Sequence, residues 1–192
     1  MTAGYPALAT ARLILRPIRL EDAPAIQRIF PQWDIVRYLH AGIPWPYPDH
    51  GAADHLEYLL LPRIARGEAW SWAIFPRAEP GRLIGCIDLM TGADANRGFW
   101  LDPDWQGRGL MREAADIVTD YWFEGLGRTV LRTHKAVANV ASRRISLAQG
   151  MRCIATMEEA YAGGRYPSEL WELTAQAWKA RRAGAASALA RD

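Results

Sequence analysis

Cysteine is nearly absent: Cys86 and Cys153 are the only two in 192 residues. With only two cysteines and no metal-type Cys/His spacing, neither a zinc-type centre nor a disulfide framework follows. Both thiols read as small buried apolar residues of strands in a reducing compartment. Charge of one sign is also missing. Lys and Arg number 23 against 21 Asp and Glu, a formal +2, and without a basic stripe this excludes a nucleic-acid surface. Long hydrophobic runs are lacking too. No stretch approaches the ~18 apolar residues of a membrane span, and the first thirty residues hold no apolar signal core, so a cytoplasmic protein with no membrane partner is expected.

What is present is the composition of a folded chain. Half of the residues are hydrophobic and 23% are charged. The length suits one core that buries roughly 70% of the unfolded surface. A single domain over 12–178 is expected, behind a flexible lead-in at 1–11 and ahead of an Ala-rich tail at 179–192. Residues 12–19 read as a strand, placed at an edge by Pro17. Asp22 is the candidate cap of a helix reaching Phe30, with Pro24 in its first turn. Pro44, Pro46 and Pro48 stiffen a loop that holds Trp45 and Tyr47 extended, either as a substrate wall or as a cover over the core. A helix over 52–64 bends at Pro62. Alternation at 69–75 and an apolar run at 83–90 predict an antiparallel hairpin, followed by a central strand at 99–101. Helical spacing runs from Leu110 to Glu124, with Gly125 and Gly127 as its stop. A strand at 130–137, a short helix at 141–149 ended by Gly150, and a last hairpin complete an α/β chain. Strand, helix, strand implies a parallel pair with a right-handed crossover, hence a mixed sheet.

The densest signal is residues 98–115, which read as strand, glycine turn, helix. Gly107 and Gly109 let the backbone turn tightly, so unpaired N–H groups of the first helical turn face one small volume. The helix dipole adds about half a positive charge there, and Arg108 and Arg112 add two more. Two cations in a first turn suit a bound phosphate or pyrophosphate; a plain strand-to-helix connection is the alternative. A Walker-type loop is excluded because Leu110-Met111 follows Gly109 where Lys-Ser/Thr is required. The dinucleotide fingerprint fails at Arg112, where Gly or Ala is required.

Gln106-Gly107-Arg108-Gly109-Leu110-Met111 resembles the coenzyme-A loop of the GNAT superfamily of N-acetyltransferases, Gln/Arg-x-x-Gly-x-Gly/Ala, and departs from it at Met111. The run Gly98-Phe99-Trp100-Leu101-Asp102, then Trp105 to Met111, is most similar to the ribosomal-protein N-terminal (RimJ/RimL-type) acetyltransferases, where methionine also occurs at that place. About thirty residues on, Asn139-Val140-Ala141-Ser142-Arg143-Arg144 reads by itself as a helix cap, with Asn139 or Ser142 accepting from the first amides. It also resembles the family's Asn-x-x-Ser-x-Arg segment. The resemblance spans residues 10–178. It implies a GNAT-like, mostly antiparallel, splayed central sheet of about seven strands flanked by about four helices. It further implies acetyl-CoA as co-substrate, with no metal, held by Phe99, Trp100, Leu101, Gln106, Gly107, Arg108, Gly109, Leu110, Met111, Arg112, Asn139, Ser142 and Arg144.

Acetyl transfer to an amine needs a neutral nucleophile, a stabilised carbonyl oxygen and a leaving thiol. The resemblance implies main-chain amides of 99–101 for the oxygen and the Ser142 hydroxyl for the sulfur. The base stays open. Many family members carry a Glu on the central strand, where this chain has about Asn96 or Arg97. Glu158 and Glu159 are the first candidates, acting through a water, with Asp88, His134 and Tyr161 as alternatives. Trp45, Tyr47 and Asp88 are the substrate-side candidates. An α-amine near ~8 needs less help than a lysine near ~10, which favours a protein N-terminus attacking directly in a ternary complex. A small-molecule amine acceptor, or a non-catalytic acyl-CoA-binding module, are the alternatives. Hydrophobic edge strands allow a homodimer.

Overall fold

Alternation of apolar side chains over residues 69–90 sets the register of the larger sheet. In the structure, a computed structural model describing residues 4–189, β3 (Ala69–Pro76) turns back into β4 (Gly85–Met90). Trp72, Ile74, Ile87 and Leu89 enter one core, and Ala69, Ala73, Phe75 and Cys86 enter another on the opposite face. A one-residue slip would exchange the two sets, so burial on both faces specifies the pairing. β2 (Leu13–Pro17) lies outside β3, β1 (Leu8–Ala9) outside β2, and β5 (Arg97–Leu101) beyond β4. β6 (Val130–Ala136), β7 (Arg152–Tyr161) and β8 (Gly164–Thr174) form a second antiparallel sheet in the order β6-β8-β7.

Helices close both faces of the larger sheet. α1 (Ala23–Ile29), α2 (Trp33–Val36) and a rod over 51–65 put Ile26, Phe30, Val36 and Leu56 against the Phe75 face. That rod joins α3 (Gly51–Asp54), a π-helical stretch (His55–Leu60) and α4 (Leu61–Ala65). The bend expected at Pro62 is taken up as this wider stretch ahead of it, which relieves the carbonyl that the ring would crowd. α5 (Leu110–Asp120), extended by a π turn at Tyr121–Gly125, lays Leu110, Ala114, Val118 and Trp122 on the Trp72 face. Each fully buried Leu or Ile stabilises by roughly 1.5–3 kcal/mol. α6 (Val140–Ala148) follows β6, and α7 (Ala175–Leu189) follows β8.

Several local expectations change. Asp22 does not cap α1; its carboxylate accepts from the Arg19 amide (2.8 Å) and the Arg16 guanidinium (2.7 Å), tying the end of β2 to the helix start. Pro17 is not on an outer strand, but β1 covers β2 only as far as Leu15, so the missing N–H of Pro17 meets no neighbour there. Cys153 is exposed on β7, one of the two outer strands of its sheet, while Cys86 is buried as expected. Within 1–11, Tyr5 packs edge-on against Trp72 (5.0 Å between centroids), and the Trp72 indole donates to the Pro6 carbonyl (2.9 Å). Residues 179–189 continue α7, anchored by the Trp178 indole on Asp120 (2.7 Å); 190–192 lie outside the described residues.

The expected parallel pair exists only as neighbours. Where β6 begins, the Asn96 amide donates to the Arg132 carbonyl (2.8 Å), the Arg132 amide to Asn96 Oδ1 (2.7 Å) and the Thr133 hydroxyl to the Arg97 carbonyl (3.1 Å). Beyond that point no ladder joins β5 to β6. Lys135 Nζ lies 4.6 Å from the Phe99 ring centroid, so side chains meet across the seam where main chains do not. The strands splay, and a wedge opens toward Leu101 and Ala138.

Candidate active site

The wedge is a cleft of about 700 Å³, a volume suited to a sizeable ligand. Its floor follows from strand parity. Asp88 pairs with Gly98 and Cys86 with Trp100, and the Asp102 amide reaches the Ile84 carbonyl (2.8 Å) while the Met90 amide reaches the Asn96 carbonyl (2.9 Å). Even-numbered residues of β5 therefore bond to β4, and Phe99 and Leu101 turn their main-chain groups into the wedge. Gln106 Nε2 takes the Leu101 carbonyl (2.9 Å). The Phe99 N–H and C=O and the Leu101 N–H have no partner among the described residues, and such groups need one when covered.

The glycine turn closes one mouth. Asp102 accepts from the Asp104 amide (3.1 Å) and starts a 3-10 turn at Pro103–Trp105. Gly107 (φ 73°) and Gly109 (φ 76°) then adopt the left-handed region, with Gly109 at the N-cap of α5. That conformation costs any other residue about 1–2 kcal/mol. The first amides of α5 lack acceptors within the helix and carry its positive pole. Arg112 lines the cleft, and Arg144 of α6 supplies a second cation. Arg108 does not face the cleft as expected. Its guanidinium donates to the Asp104 carbonyl (2.8 Å) and lies 5.1 Å over the Trp105 ring, bracing the turn from outside. Glu113, the acid of the first turn, accepts from the Arg12 amide (2.9 Å), Arg12 Nε (2.7 Å) and the Thr10 hydroxyl. Partial burial opposes its ionisation, yet these bonds hold it below the usual carboxylate range, and Arg12 neutralises it.

The wall opposite β5 is the first turn of α6. Asn139 Oδ1 accepts from the Ser142 amide (3.1 Å), so of the two candidate caps it is Asn139 that acts. Ser142 is buried, lines the cleft, and its hydroxyl bonds to nothing among the described residues. Arg143 points away to Glu169 (2.7 and 2.8 Å). Thus Phe99, Trp100, Leu101, Gln106, Gly107, Gly109, Leu110, Met111, Arg112, Asn139, Ser142 and Arg144 all border one space.

The other mouth was missed from the sequence. It is formed by Asp34, Ile35, Arg37, Tyr38 and Leu39, which carry no motif. The β7–β8 hairpin tip holds this segment: the Gly163 amide donates to the Arg37 carbonyl (3.0 Å) and the Ala162 amide to the Leu39 carbonyl (2.9 Å). A Cβ on Gly163 would lie 2.7 Å from that Arg37 carbonyl, so only glycine permits the approach. Trp100 reaches this mouth from the Phe30 side (5.3 Å), whereas Phe99 and Leu101 lie on the α5 face. The cleft therefore passes through the splayed sheet from one face to the other.

Other expected residues lie elsewhere. Glu158 is exposed on β7, Glu159 is half-buried there, and neither borders the cleft, because β8 stands between β7 and the seam. Trp45 stacks on exposed Trp33 (5.1 Å) and Tyr47 packs on Phe30 (5.0 Å); neither reaches the cleft, and burial pushes the Tyr47 phenol up to about 12. Tyr161 shares its hydroxyl with Ser168 (2.6 Å), and His134 keeps a buried Nδ1 without a partner among the described residues. Asp88 sits on β4, where burial raises its carboxyl to about 6. A second cleft of about 450 Å³ opens beyond Asn96 beside Trp122 and Arg128. Its Arg132 is already paired with Asp94 (3.2 Å) and Glu172 (2.8 Å).

Comparison with known proteins agrees with this geometry. Residues 12–152 match the family described as Acetyltransferase (GNAT) domain. The chain is 29% identical over 153 residues to the uncharacterized N-acetyltransferase YoaA of Bacillus subtilis (strain 168), covering 77% of this chain and 84% of that one. Among solved structures, it shares the fold of a ribosomal-protein-S5-alanine acetyltransferase from Vibrio fischeri (TM-score 0.76, 17% identity, 91% of this chain and 99% of that one). RimL, a ribosomal L7/L12 alpha-N-protein acetyltransferase in complex with coenzyme A, is also similar (TM-score 0.75, 18% identity, 90% and 99%). So is Mycobacterium smegmatis RimJ in complex with CoA-disulfide (TM-score 0.72, 20% identity, 85% and 82%). Among the described residues, no helix is long and apolar enough to cross a membrane, and no cluster of His, Cys, Asp and Glu is placed to hold a metal ion. The splayed β5 edge, the left-handed glycine turn and the match over 12–152 lead to one conclusion: the chain belongs to the GNAT family of acetyltransferases, enzymes that take their acetyl group from acetyl-CoA.

Proposed function

We propose that the protein acetylates the α-amine of a protein N-terminus, by direct attack on acetyl-CoA in a ternary complex. The observation that carries this reading is the passage through the sheet. One mouth offers amides and two arginines to an anion, the other is walled by Tyr38 and Trp100, and unpaired main-chain groups of β5 lie between them. Likeness over most of the chain to a ribosomal L7/L12 alpha-N-protein acetyltransferase, and to a ribosomal-protein-S5-alanine acetyltransferase, supports an N-terminal acceptor. In this reading the first turn of α5 with Arg112 and Arg144 receives the phosphates, and the Phe99 carbonyl orients the coenzyme's amide arm. The Phe99 and Leu101 amides are available to a carbonyl oxygen that gains negative charge. Asn139 sets the turn that holds Ser142, whose free hydroxyl donates to the departing sulfur.

Thiol release from acetyl-CoA tests the proposal against peptides with free N-termini and against polyamines, amino acids and aminoglycosides. Peptide-dependent release, with the acetyl group located on the α-amine by mass spectrometry, is expected. Release with small amines only would replace the acceptor. No release, despite thermal stabilisation by coenzyme A, would make the protein a binding module.

A further inference from the structure

Strand parity leaves the acceptor side of β5 short of a proton acceptor. Gly98 and Trp100 face that side, and neither carries a base. Gly98 is bare, however, and a Cβ built on it would lie 4.0 Å from Asp88 Oδ2 and 3.8 Å from the Met90 methyl. Asp88 is the cross-strand partner of Gly98; neither borders the cleft itself, but Asp88 lies one diagonal step behind Trp100, which does. Its carboxylate therefore lies against the stretch of β5 that a side chain would otherwise cover. Asp88 Oδ1 is buried with no hydrogen-bond partner among the described residues, although the Ser71 hydroxyl, itself unpaired and opposite it on β3, is near enough to favour its charged form. A buried carboxylate oxygen without a donor is costly. Such an oxygen suits a donor brought by a ligand.

From this placement we infer that Asp88 is the general base of the reaction, binding the acceptor's ammonium group and removing its proton from the strand beside β5. The inference rests on acetyl transfer to an amine and is independent of which amine is the acceptor. The steps balance. One ammonium proton passes to the Asp88 carboxylate; the freed nitrogen lone pair forms the C–N bond as the C–S bond breaks. The second nitrogen proton ends on the departing sulfur, and Asp88 returns its proton to solvent.

The surroundings keep Asp88 usable near neutrality. Burial raises its carboxyl to about 6, opposed by the Ser71 hydroxyl and by Arg63 of α4. Tyr5 from the N-terminal segment and Cys86 on β4 also face it. His55 and His40 lie nearby around Arg63; burial lowers both, and they repel one another and Arg63 when charged. A base near 6 accepts a proton from an α-amine (near ~8) about a hundredfold less readily than an equal partner would, and from a lysine amine (near ~10.4) about 10⁴-fold less. Asp88 thus favours the more acidic amine.

The test is Asp88→Asn, with pH profiles of thiol release measured on whichever acceptor the wild type accepts. The wild type should show an acidic limb near pH 6 in kcat/KM for the acceptor. In Asp88→Asn, kcat/KM should fall at least tenfold, the limb should vanish, and the coenzyme Kd by calorimetry should stay within twofold. Because Asn removes an unpartnered buried charge, it should melt no lower than wild type, which separates loss of the base from loss of the fold. A limb that persists in Asp88→Asn, assigning it to His40 or His55, overturns the inference. So does unchanged turnover, a lowered melting temperature or lost coenzyme binding. Activity only with small amines would refute the N-terminal acceptor but leave this test intact.

Discussion

Replacing Asn139 probes whether the first turn of α6 acts as a rigid wall. Asn139→Ala removes the acceptor of the Ser142 amide, now at 3.1 Å, from a helix that runs only from Val140 to Ala148. Loss of such a cap costs about 1 kcal/mol, which lowers Tm by about 2–4 °C in a domain of this size. Ser142 is the third residue of that helix, so fraying moves its hydroxyl. Displacement on the order of 1 Å near reacting atoms can cost up to ~100-fold in rate, and we expect turnover to fall about tenfold. Asn139→Asp separates the two roles. Aspartate caps as well as asparagine and favours a helix N-terminus by about 0.3–1 kcal/mol, so Tm should return to the wild-type value or above. It also sets a negative charge in a cleft that receives an anionic coenzyme, so the coenzyme Kd should rise several-fold. Thermal unfolding and calorimetry on the three proteins give the answer. An unchanged Tm in Asn139→Ala, or an unchanged Kd in Asn139→Asp, would refute the reasoning.

Ser142→Ala should lower kcat by about 10–100-fold, as expected for a hydrogen bond to a charged sulfur, while coenzyme Kd changes little; a change in Kd alone would deny the role. Arg112→Ala with Arg144→Ala should weaken coenzyme binding and flatten its dependence on salt, whereas Arg108→Ala, whose guanidinium faces Asp104 and Trp105, should change neither more than about twofold. Glu113→Gln should lower Tm at pH 7 by about 2–4 °C, because the exposed partner Arg12 limits the pair to about 1 kcal/mol. The folded pKa of Glu113 is depressed, so its contribution is present above the unfolded value near ~4.3 and is lost as pH falls through the folded one. The two melting curves should converge in acid; a gap that persists there would count against the ion pair.

Legibility divides along local and non-local lines. The β3–β4 hairpin, α5, the left-handed Gly107 and Gly109, and the Asn139 cap were legible because each is dictated by neighbours within a few residues. The split into two sheets was not. Strand, α5, strand at 97–136 has the local pattern of a parallel pair, and what breaks it is distant: β6 takes β8 as its ladder partner, and the Asn96 side chain occupies the amide of Arg132. The residues at 34–39 lack periodicity or motif because their position is set by a glycine 124 residues beyond Leu39, at the tip formed by Gly163.

Glu158 and Glu159 stand away from the cleft for the same reason. Both follow the right segment in chain order, but proximity to the seam depends on strand order, and β6-β8-β7 keeps β7 one strand too far away. On β5 the parity of the pleat decides the rest. Arg97 turns to the α5 face, where it donates to the Thr119 hydroxyl (2.7 Å), and Asn96 is committed to the Arg132 amide and the Met90 carbonyl. Gly98 offers nothing but space. Under the proposed role, the proton acceptor comes from the neighbouring strand, where the residue opposite Gly98 in the β4 register is Asp88.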